Sequence, residues 1–326
     1  MATKNPSGVG HQHVGVDIGG TSTRVAVFDE RLVPLGWTVD ETRPASLVDH
    51  VAELVHRTHD DLGPKARPIA SVGVGVPGRV DAAHGTVADA VNLGLAGEGL
   101  DLGGGLAERL GVPVTVENDV NAAALGVCHR MGLGAGPGVG AGGRTVALLS
   151  VGTGVAAGLV IDGRVHRGPT GLAGEIGHIP FDPSGPRCAC GQKGCLEAVA
   201  SGAALQRAWP GDGVDTPVAS LLAAAGRGDE TATRVWCDAL DALAWAVELL
   251  VLTVDAEVVV LGGGVSEAGA PLLDGVRDAL ATRARTSRFL ATVAVAERVR
   301  LAPGDVALGC LGAVLAGGVT PRGTTS

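Results

Sequence analysis

The 326-residue chain contains no tyrosine, three phenylalanines and four tryptophans, and it has three lysines beside 22 arginines. A GC-rich coding bias explains these shortages, so they say nothing about function. No run of about 18 apolar residues occurs, which excludes a membrane-spanning helix; the nearest candidate, Ala246 to Val254, contains Glu248. The first residues, Met1 to His13, have neither an apolar core nor a cleavage pattern, so no signal peptide is expected. Positive charge is in deficit. A net charge of −9 gives no general attraction to nucleic acid or to anionic membranes. Six cysteines, three of them in one cluster, do not look like a disulfide framework in a chain this long. The other three, Cys128, Cys237 and Cys310, are scattered and read as small buried hydrophobes. Charged residues reach only 18% against 46% hydrophobic, which excludes a disordered chain. The expectation is a cytoplasmic protein with length for two domains, each able to bury its own core.

Glycine and valine are abundant, and they punctuate a regular pattern. Val14–Val16 is a short buried strand that runs into Asp17-Ile-Gly-Gly-Thr21, and Arg24–Phe28 follows as a second strand. Thr145–Val151 runs into Gly152-Thr-Gly154 in the same way, with Gly158–Ile161 as its partner. Two glycine turns in matching contexts point to two related halves. A dinucleotide fingerprint would need a helix, not a strand, directly after the glycines, so that reading fails. Leu47, Val48, Val51, Leu54 and Val55 have helical spacing. Ser71–Val76 reads as a strand, Leu106–Leu110 as a helix end stopped by Gly111, and Val114–Val116 as a strand leading into Glu117-Asn-Asp119. Asp119 stands where a helix N-cap belongs, ahead of the alanine-rich Val120–Val127. Met131 to Gly143 is glycine-rich and reads as a surface loop. Leu240–Val254 is a helix, Glu257–Leu261 a buried strand entering Gly262-Gly-Gly-Val265, and Val306–Leu315 a closing helix. The alternation of strands and helices makes the fold class α/β.

Cys188, Cys190 and Cys195 fall within eight residues, ten residues after His178. Three thiolates and one imidazole complete a tetrahedral zinc shell. Glutamates flank this group at Glu175 and Glu197. The alternatives are a purely structural zinc knuckle, or three reduced thiols without metal.

Phosphate binding needs close backbone N–H groups and small hydroxyls, which glycine turns provide. The Asp17–Thr21 and Gly152–Gly154 turns both meet that need, and Asp17 adds a carboxylate suited to Mg²⁺ or its waters. With the glycine run Gly262–Gly264, they suggest a nucleotide site. Asn118–Asp119 is the best catalytic candidate, because a carboxylate at a strand–helix junction can accept a proton from a substrate hydroxyl. The competing role for Asp119 is the plain N-cap, and one carboxylate has lone pairs enough for both.

Together these motifs resemble the ROK family of sugar kinases and related repressors, within the actin-like, hexokinase-type ATPases. The resemblance rests on D-I-G-G-T, on Val116–Gly126 (V-E-N-D-V-N-A-A-A-L-G), on G-T-G, on Ala173–His178 (A-G-E-I-G-H), on C-A-C-G-Q-K-G-C-L-E and on Leu261–Val265 (L-G-G-G-V). It implies two actin-like (ribonuclease H-like) domains flanking an interdomain cleft, with a zinc-binding loop. The expected limits are 1–118 plus 311–326 for the N-terminal domain and 119–310 for the C-terminal one. It also implies an ATP-dependent kinase acting on the 6-hydroxyl of a hexose, glucokinase-like, with Asp119 as general base. Asn92, Asn118, Asp119, Glu175, His178 and Glu197 would contact the sugar. Asp17, Gly19, Gly20 and Thr21 would hold ATP phosphates, as would Gly152, Thr153 and Gly154, while Gly263 and Gly264 would line the nucleoside. His178, Cys188, Cys190 and Cys195 would bind a structural Zn²⁺, and Mg²⁺ would accompany the ATP. The implied partners are small molecules, without nucleic acid or membrane, in a homo-oligomer that is a dimer or a tetramer.

Three features depart from the family pattern. The Pro-Gly-Trp segment often found after the asparagine is L-G-L-A-G-E-G-L-D-L here. The base-bearing helix ends Gly126-Val127 rather than Gly-Glu, and Ala156 and Ala157 replace glycines after the second turn. The first change borders the sugar site, so an amino-hexose or N-acetylhexosamine is the alternative substrate, with Glu98 and Asp101 as carboxylates able to face an ammonium group. A regulator that senses sugar without catalysis is a further alternative. Repressors of the family carry a helix-turn-helix domain before the first turn, whereas only 16 residues, with a single lysine and no arginine, precede Asp17 here, so DNA binding is not expected.

Overall fold

Valines alternating with small residues set the first strand, where Val14, Val16 and Ile18 have no exposed surface. The structure is a computed structural model, and it describes residues 10–95, 97, 99–133, 144–211, 216–305 and 307–321. In chain order the elements begin with β1 (Gln12–Ile18), β2 (Ser22–Phe28), β3 (Pro34–Glu41), α1 (Leu47–Asp60), β4 (Ile69–Val76), β5 (Arg79–Asp81) and β6 (Thr86–Ala88). They continue with β7 (Leu100–Asp101), α2 (Leu102–Leu110), β8 (Val114–Asn118) and α3 (Asp119–Arg130). Then come β9 (Thr145–Val151), β10 (Val155–Ile161), β11 (Arg164–Val165), α4 (Glu197–Ala200), α5 (Gly202–Ala208), α6 (Pro217–Gly226) and α7 (Glu230–Val254). The last are β12 (Val258–Gly262), α8 (Ala270–Thr286), α9 (Arg288–Val293), β13 (Val299–Leu301) and α10 (Leu308–Ala316).

Contacts divide the chain into two units. The first comprises Met1–Gly132, Pro169–Gly171 and Asp305–Ser326, the second Leu133–Gly168 and Leu172–Gly304. The first holds a five-stranded sheet of order β3-β2-β1-β4-β8. Within it β2 runs antiparallel to β1 and β3, while β4 runs parallel to β1 and β8. The second unit repeats the pattern as β11-β10-β9-β12-β13, with β10 antiparallel to its neighbours and β12 parallel to its own. Equal order and equal directions bear out the reading of two related halves. The domain limits drawn from the sequence put the Asp119 helix with the second half, whereas the contacts place α3 in the first unit.

In the first unit α1 buries Leu47, Val51, Leu54 and Val55 against the sheet. α10 lies directly on β1 and β4: a Cβ built on Gly15 would meet the Cys310 carbonyl, and one on Gly73 the Ala313 carbonyl. In the second unit α7 supplies Leu243, Val247, Leu250 and Val251 to a core shared with β9 and β12.

Several boundaries differ from the sequence expectation. The helix read from Leu240 begins at Glu230, because Asp229 caps it by accepting the Ala232 N–H at 2.8 Å. Cys128 and Cys310 are buried as expected, but Cys237 is exposed on the outer side of α7. Asp101 is the N-cap of α2 and accepts the Gly104 N–H at 2.8 Å. Glu98, Val306 and most of the loop Met131 to Gly143 lie outside the described residues. No helix among the described residues is long and apolar enough to cross a membrane.

Candidate functional site

In the first unit Asp17 is the last residue but one of β1, and Gly19, Gly20 and Thr21 form the turn into β2. The turn is closed by the Gly19 N–H donating to the Ser22 carbonyl at 2.8 Å. Two buried threonines that the motif does not mark support it from behind. The Thr42 hydroxyl donates to the Gly19 carbonyl at 2.7 Å and lies 3.0 Å from the Thr23 hydroxyl, while the Thr42 N–H reaches the Thr21 carbonyl. Burial raises the Asp17 carboxyl above its ordinary value, and Arg24, at 3.6 Å, opposes that shift. Asn92 sits beside the same turn: a Cβ on Gly20 would lie 3.0 Å from the Asn92 Cβ.

Asn118 and Asp119 stand at the β8–α3 junction. The sequence assigns the helix cap to Asp119, but the structure assigns it to Asn118. The Asn118 Oδ1 accepts the N–H groups of Val120 and Asn121 at 3.0 and 3.2 Å, and its Nδ2 donates to the Gly78 carbonyl at 3.2 Å. Asp119 is therefore the first helical residue, with its Oδ1 2.9 Å from the Val120 N–H. Glu117, which sequence reasoning passed over, is only 2% exposed and holds this junction together. Its Oε1 accepts the Asn118 N–H at 3.0 Å and the Asn121 Nδ2 at 3.1 Å. A Cβ on Gly75 would come within 3.5 Å of the Asp119 Cα, so β4 backs directly onto that residue.

In the second unit Gly152, Thr153 and Gly154 connect β9 to β10, with Thr153 exposed. The Gly152 N–H donates to the Gly154 carbonyl at 2.9 Å, and the Gly202 N–H donates to the Gly152 carbonyl at 2.7 Å. Gly263 has φ +80°, and a Cβ there would lie 2.6 Å from the Val151 backbone. Only glycine suits that position. The structure thus brings Gly152 and Gly263 to the same end of the second sheet, after the adjacent parallel strands β9 and β12.

Glu175, His178 and Glu197 are neighbours beside β10. The Ala157 N–H donates to the Gly174 carbonyl at 2.8 Å, which stitches the Glu175 segment to that strand. Desolvation raises the Glu175 carboxyl above its ordinary range; His178 opposes the shift and Glu197 adds to it.

His178, Cys188, Cys190 and Cys195 converge, with their donor atoms all within 4.8 Å of one another. The Cys190 and Cys195 sulfurs are 3.6 Å apart, and the Cys188 sulfur is 4.0 Å from the His178 Nδ1. A Zn–S bond of about 2.3 Å gives a tetrahedral edge of about 3.8 Å, so these spacings fit a zinc shell. The loop is folded by the Cys188 N–H donating to the Gln192 carbonyl at 2.8 Å and the Gly191 N–H to the Cys188 carbonyl at 3.0 Å. Gln192 adds an unforeseen contact, since its Nε2 lies 3.7 Å from the Cys190 sulfur and 3.3 Å from the His178 carbonyl.

The model of the ROK family matches residues 13–315. The chain is 34% identical over 293 residues to a glucokinase of Halalkalibacterium halodurans, covering 81% of this chain and 84% of that one. It is 30% identical over 261 residues to an N-acetylmannosamine kinase of Salmonella newport, covering 77% and 82%. Among solved structures it is similar to a ROK family glucokinase from Streptomyces griseus in complex with glucose and AMPPNP, with a TM-score of 0.73 and 31% identity over 93% of this chain and 98% of that one.

Proposed function

The chain belongs to the ROK family, and on that premise we propose that it transfers the γ-phosphoryl group of ATP to the 6-hydroxyl of a hexose, glucose first. The observation that carries the proposal is the placement of a carboxylate, Asp119, as the first residue of α3 directly after β8, beside the Asn118 cap. Asn118 caps the helix through two N–H bonds, and Asp119, the first helical residue, also puts its Oδ1 2.9 Å from the Val120 N–H; a carboxylate has lone pairs enough for that contact and for a substrate hydroxyl. Asp119 accepts the proton of the attacking hydroxyl, a role worth about 10²–10⁴ in rate. Phosphoryl transfer otherwise asks for positioning and charge neutralisation. The Asp17–Thr21 and Gly152–Gly154 turns supply backbone N–H groups for the phosphates, and Gly263 and Gly264 line the nucleoside.

Asn92, Asn118, Glu175, His178 and Glu197 take the remaining sugar hydroxyls in this reading. Asp17 is the carboxylate that would hold the Mg²⁺ accompanying ATP, or its waters, and that ion would supply charge neutralisation at the phosphates. His178, Cys188, Cys190 and Cys195 hold a structural Zn²⁺. If one ring nitrogen of His178 serves the metal, the other is left for a substrate hydroxyl. We place the ATP and sugar sites on an actin-like pair of domains and expect a homo-oligomer, dimer or tetramer, in the cytoplasm.

Coupled ADP release with glucose, mannose, fructose, glucosamine, N-acetylglucosamine and N-acetylmannosamine tests the proposal. Release stimulated most by glucose supports it. Likeness to N-acetylmannosamine kinases favours a second reading, which strongest stimulation by N-acetylmannosamine would establish. No stimulation by any sugar refutes both and leaves a sugar-sensing protein.

A further inference from the structure

Glu197 opens α4, two residues beyond Cys195, and its two carboxylate oxygens face different things. Oε2 accepts the Val155 N–H at 3.1 Å, the first amide of β10 after the Gly152–Gly154 turn. A Cβ built on Gly154 would lie 2.4 Å from that same oxygen, so the carboxylate fills the space a side chain at 154 would need. Oε1 lies 3.8 Å from the Cys188 sulfur. One side chain thus reaches from the cysteine cluster to the exit of the phosphate turn. The next residues tie the turn a second time, because α5 begins at Gly202, whose N–H donates to the Gly152 carbonyl at 2.7 Å.

We propose that Glu197 is a positioning residue for the nucleotide. The order that a bound metal gives the His178–Cys195 segment passes through Glu197 to the Gly152–Gly154 turn, so losing the metal weakens nucleotide binding even without sugar. The proposal rests on the kinase reading and goes beyond a sugar-contacting role for this glutamate. Metal binding and local folding are linked, so an empty cluster leaves the segment before α4 free to move. A hydrogen bond such as Val155 to Glu197 tolerates displacements of only a few tenths of an ångström. A turn released from that anchor must be ordered again when phosphates arrive, at a cost in affinity.

The test is calorimetric binding of Mg²⁺-ADP to the full chain without sugar, together with hydrogen exchange at the Val155 amide. Glu197→Ala should weaken ADP about tenfold, the effect expected for losing a hydrogen bond to a charged group. Glu197→Gln keeps an oxygen for the Val155 N–H and should stay within about threefold. Chelating the metal should weaken ADP about tenfold in the wild type but add little in Glu197→Ala, because both changes break the same link. Val155 exchange should quicken in both the stripped wild type and Glu197→Ala. Unchanged ADP affinity in Glu197→Ala, or equal losses on chelation in variant and wild type, overturns the link while leaving the kinase reading intact. If Glu197→Ala does not fold, the stripped wild type decides: unchanged ADP affinity and unchanged Val155 exchange overturn it. A wild type that binds no ADP refutes the kinase reading itself.

Discussion

Replacing Gly312 by alanine probes how α10 holds the helix that carries Asp119. A Cβ on Gly312 would lie 1.5 Å from the Ala122 carbonyl oxygen and 2.9 Å from the Gly126 nitrogen, both backbone atoms of α3. Reciprocally, a Cβ on Gly126 would lie 2.1 Å from the Leu308 carbonyl oxygen of α10. The two helices therefore touch backbone to backbone. Close carbon–oxygen contacts settle near 3.3 Å or more, so Gly312→Ala must push the helices apart by roughly 1.5–2 Å. Overpacking costs about 1–3 kcal/mol and sometimes more. The obstructing atoms are backbone and cannot rotate away, which places this case at or above the upper end. Alanine's helix propensity returns about 1 kcal/mol, leaving a net loss of about 2–3 kcal/mol. For a unit of this size that corresponds to a Tm lower by roughly 4–12 °C.

Function should suffer with stability, because α3 begins at Asp119. A displacement of about 1 Å at a reacting group can cost on the order of 10²-fold in turnover. Differential scanning calorimetry and coupled ADP release are the assays. Gly226→Ala is the control of opposite sign: Gly226 is the exposed last residue of α6, with nothing within 4 Å of a built Cβ. It should be neutral or stabilising by a few tenths of a kcal/mol, below the roughly 1 kcal/mol of a helix interior because it lies at the helix end. If Gly312→Ala melts within about 1 °C of the wild type and turns over normally, the backbone-contact argument is wrong.

The β8–α3 junction should separate two effects: Asp119→Asn loses at least about a hundredfold in turnover with little change in Tm, and Asn118→Ala loses about 1 kcal/mol of stability through its cap. Near-normal turnover in Asp119→Asn would remove the assigned base. Asp17 predicts a pH effect. Its carboxyl titrates above its ordinary 3.8 in the folded chain, so its contribution to stability is fully present below the unfolded value and is lost as pH rises through the folded one. The Tm of Asp17→Asn relative to the wild type should therefore be highest near neutral pH and decline toward pH 4; a flat difference contradicts the shift. Thiol alkylation should find Cys237 first, since it is exposed, and spare Cys128, whose thiol burial pushes up to about 12. Chelation should then open Cys190 to the reagent, read by peptide mass spectrometry, and prior labelling of Cys190 in the metal-loaded protein would contradict a zinc shell.

The parts of this molecule legible in the sequence are those whose chemistry depends on near neighbours in the chain. The cysteine cluster is compact in sequence, and a metal shell built from it needs only two tight turns, so the residues alone predicted the convergence that the structure shows. The glycine turns were legible for the same reason, and their matched contexts anticipated the matched sheets. The cap at β8–α3 falls one residue before the position the sequence suggests, because Asn and Asp are equally good N-caps, and composition cannot say which of two adjacent residues has the extended backbone; Asn118 has it, at φ −62° and ψ 141°. What stayed hidden are contacts between segments that no period connects. Thr42 supports Gly19 from the end of β3, and Glu197 reaches Val155 across 42 residues. Glycine shows the same division. Gly19 and Gly154 belong to motifs and read as turns, whereas Gly126 and Gly312 sit inside helices, where glycine is unfavourable by about 1 kcal/mol against alanine. Each becomes intelligible only beside the other, because the reason for both is the carbonyl of the opposite helix.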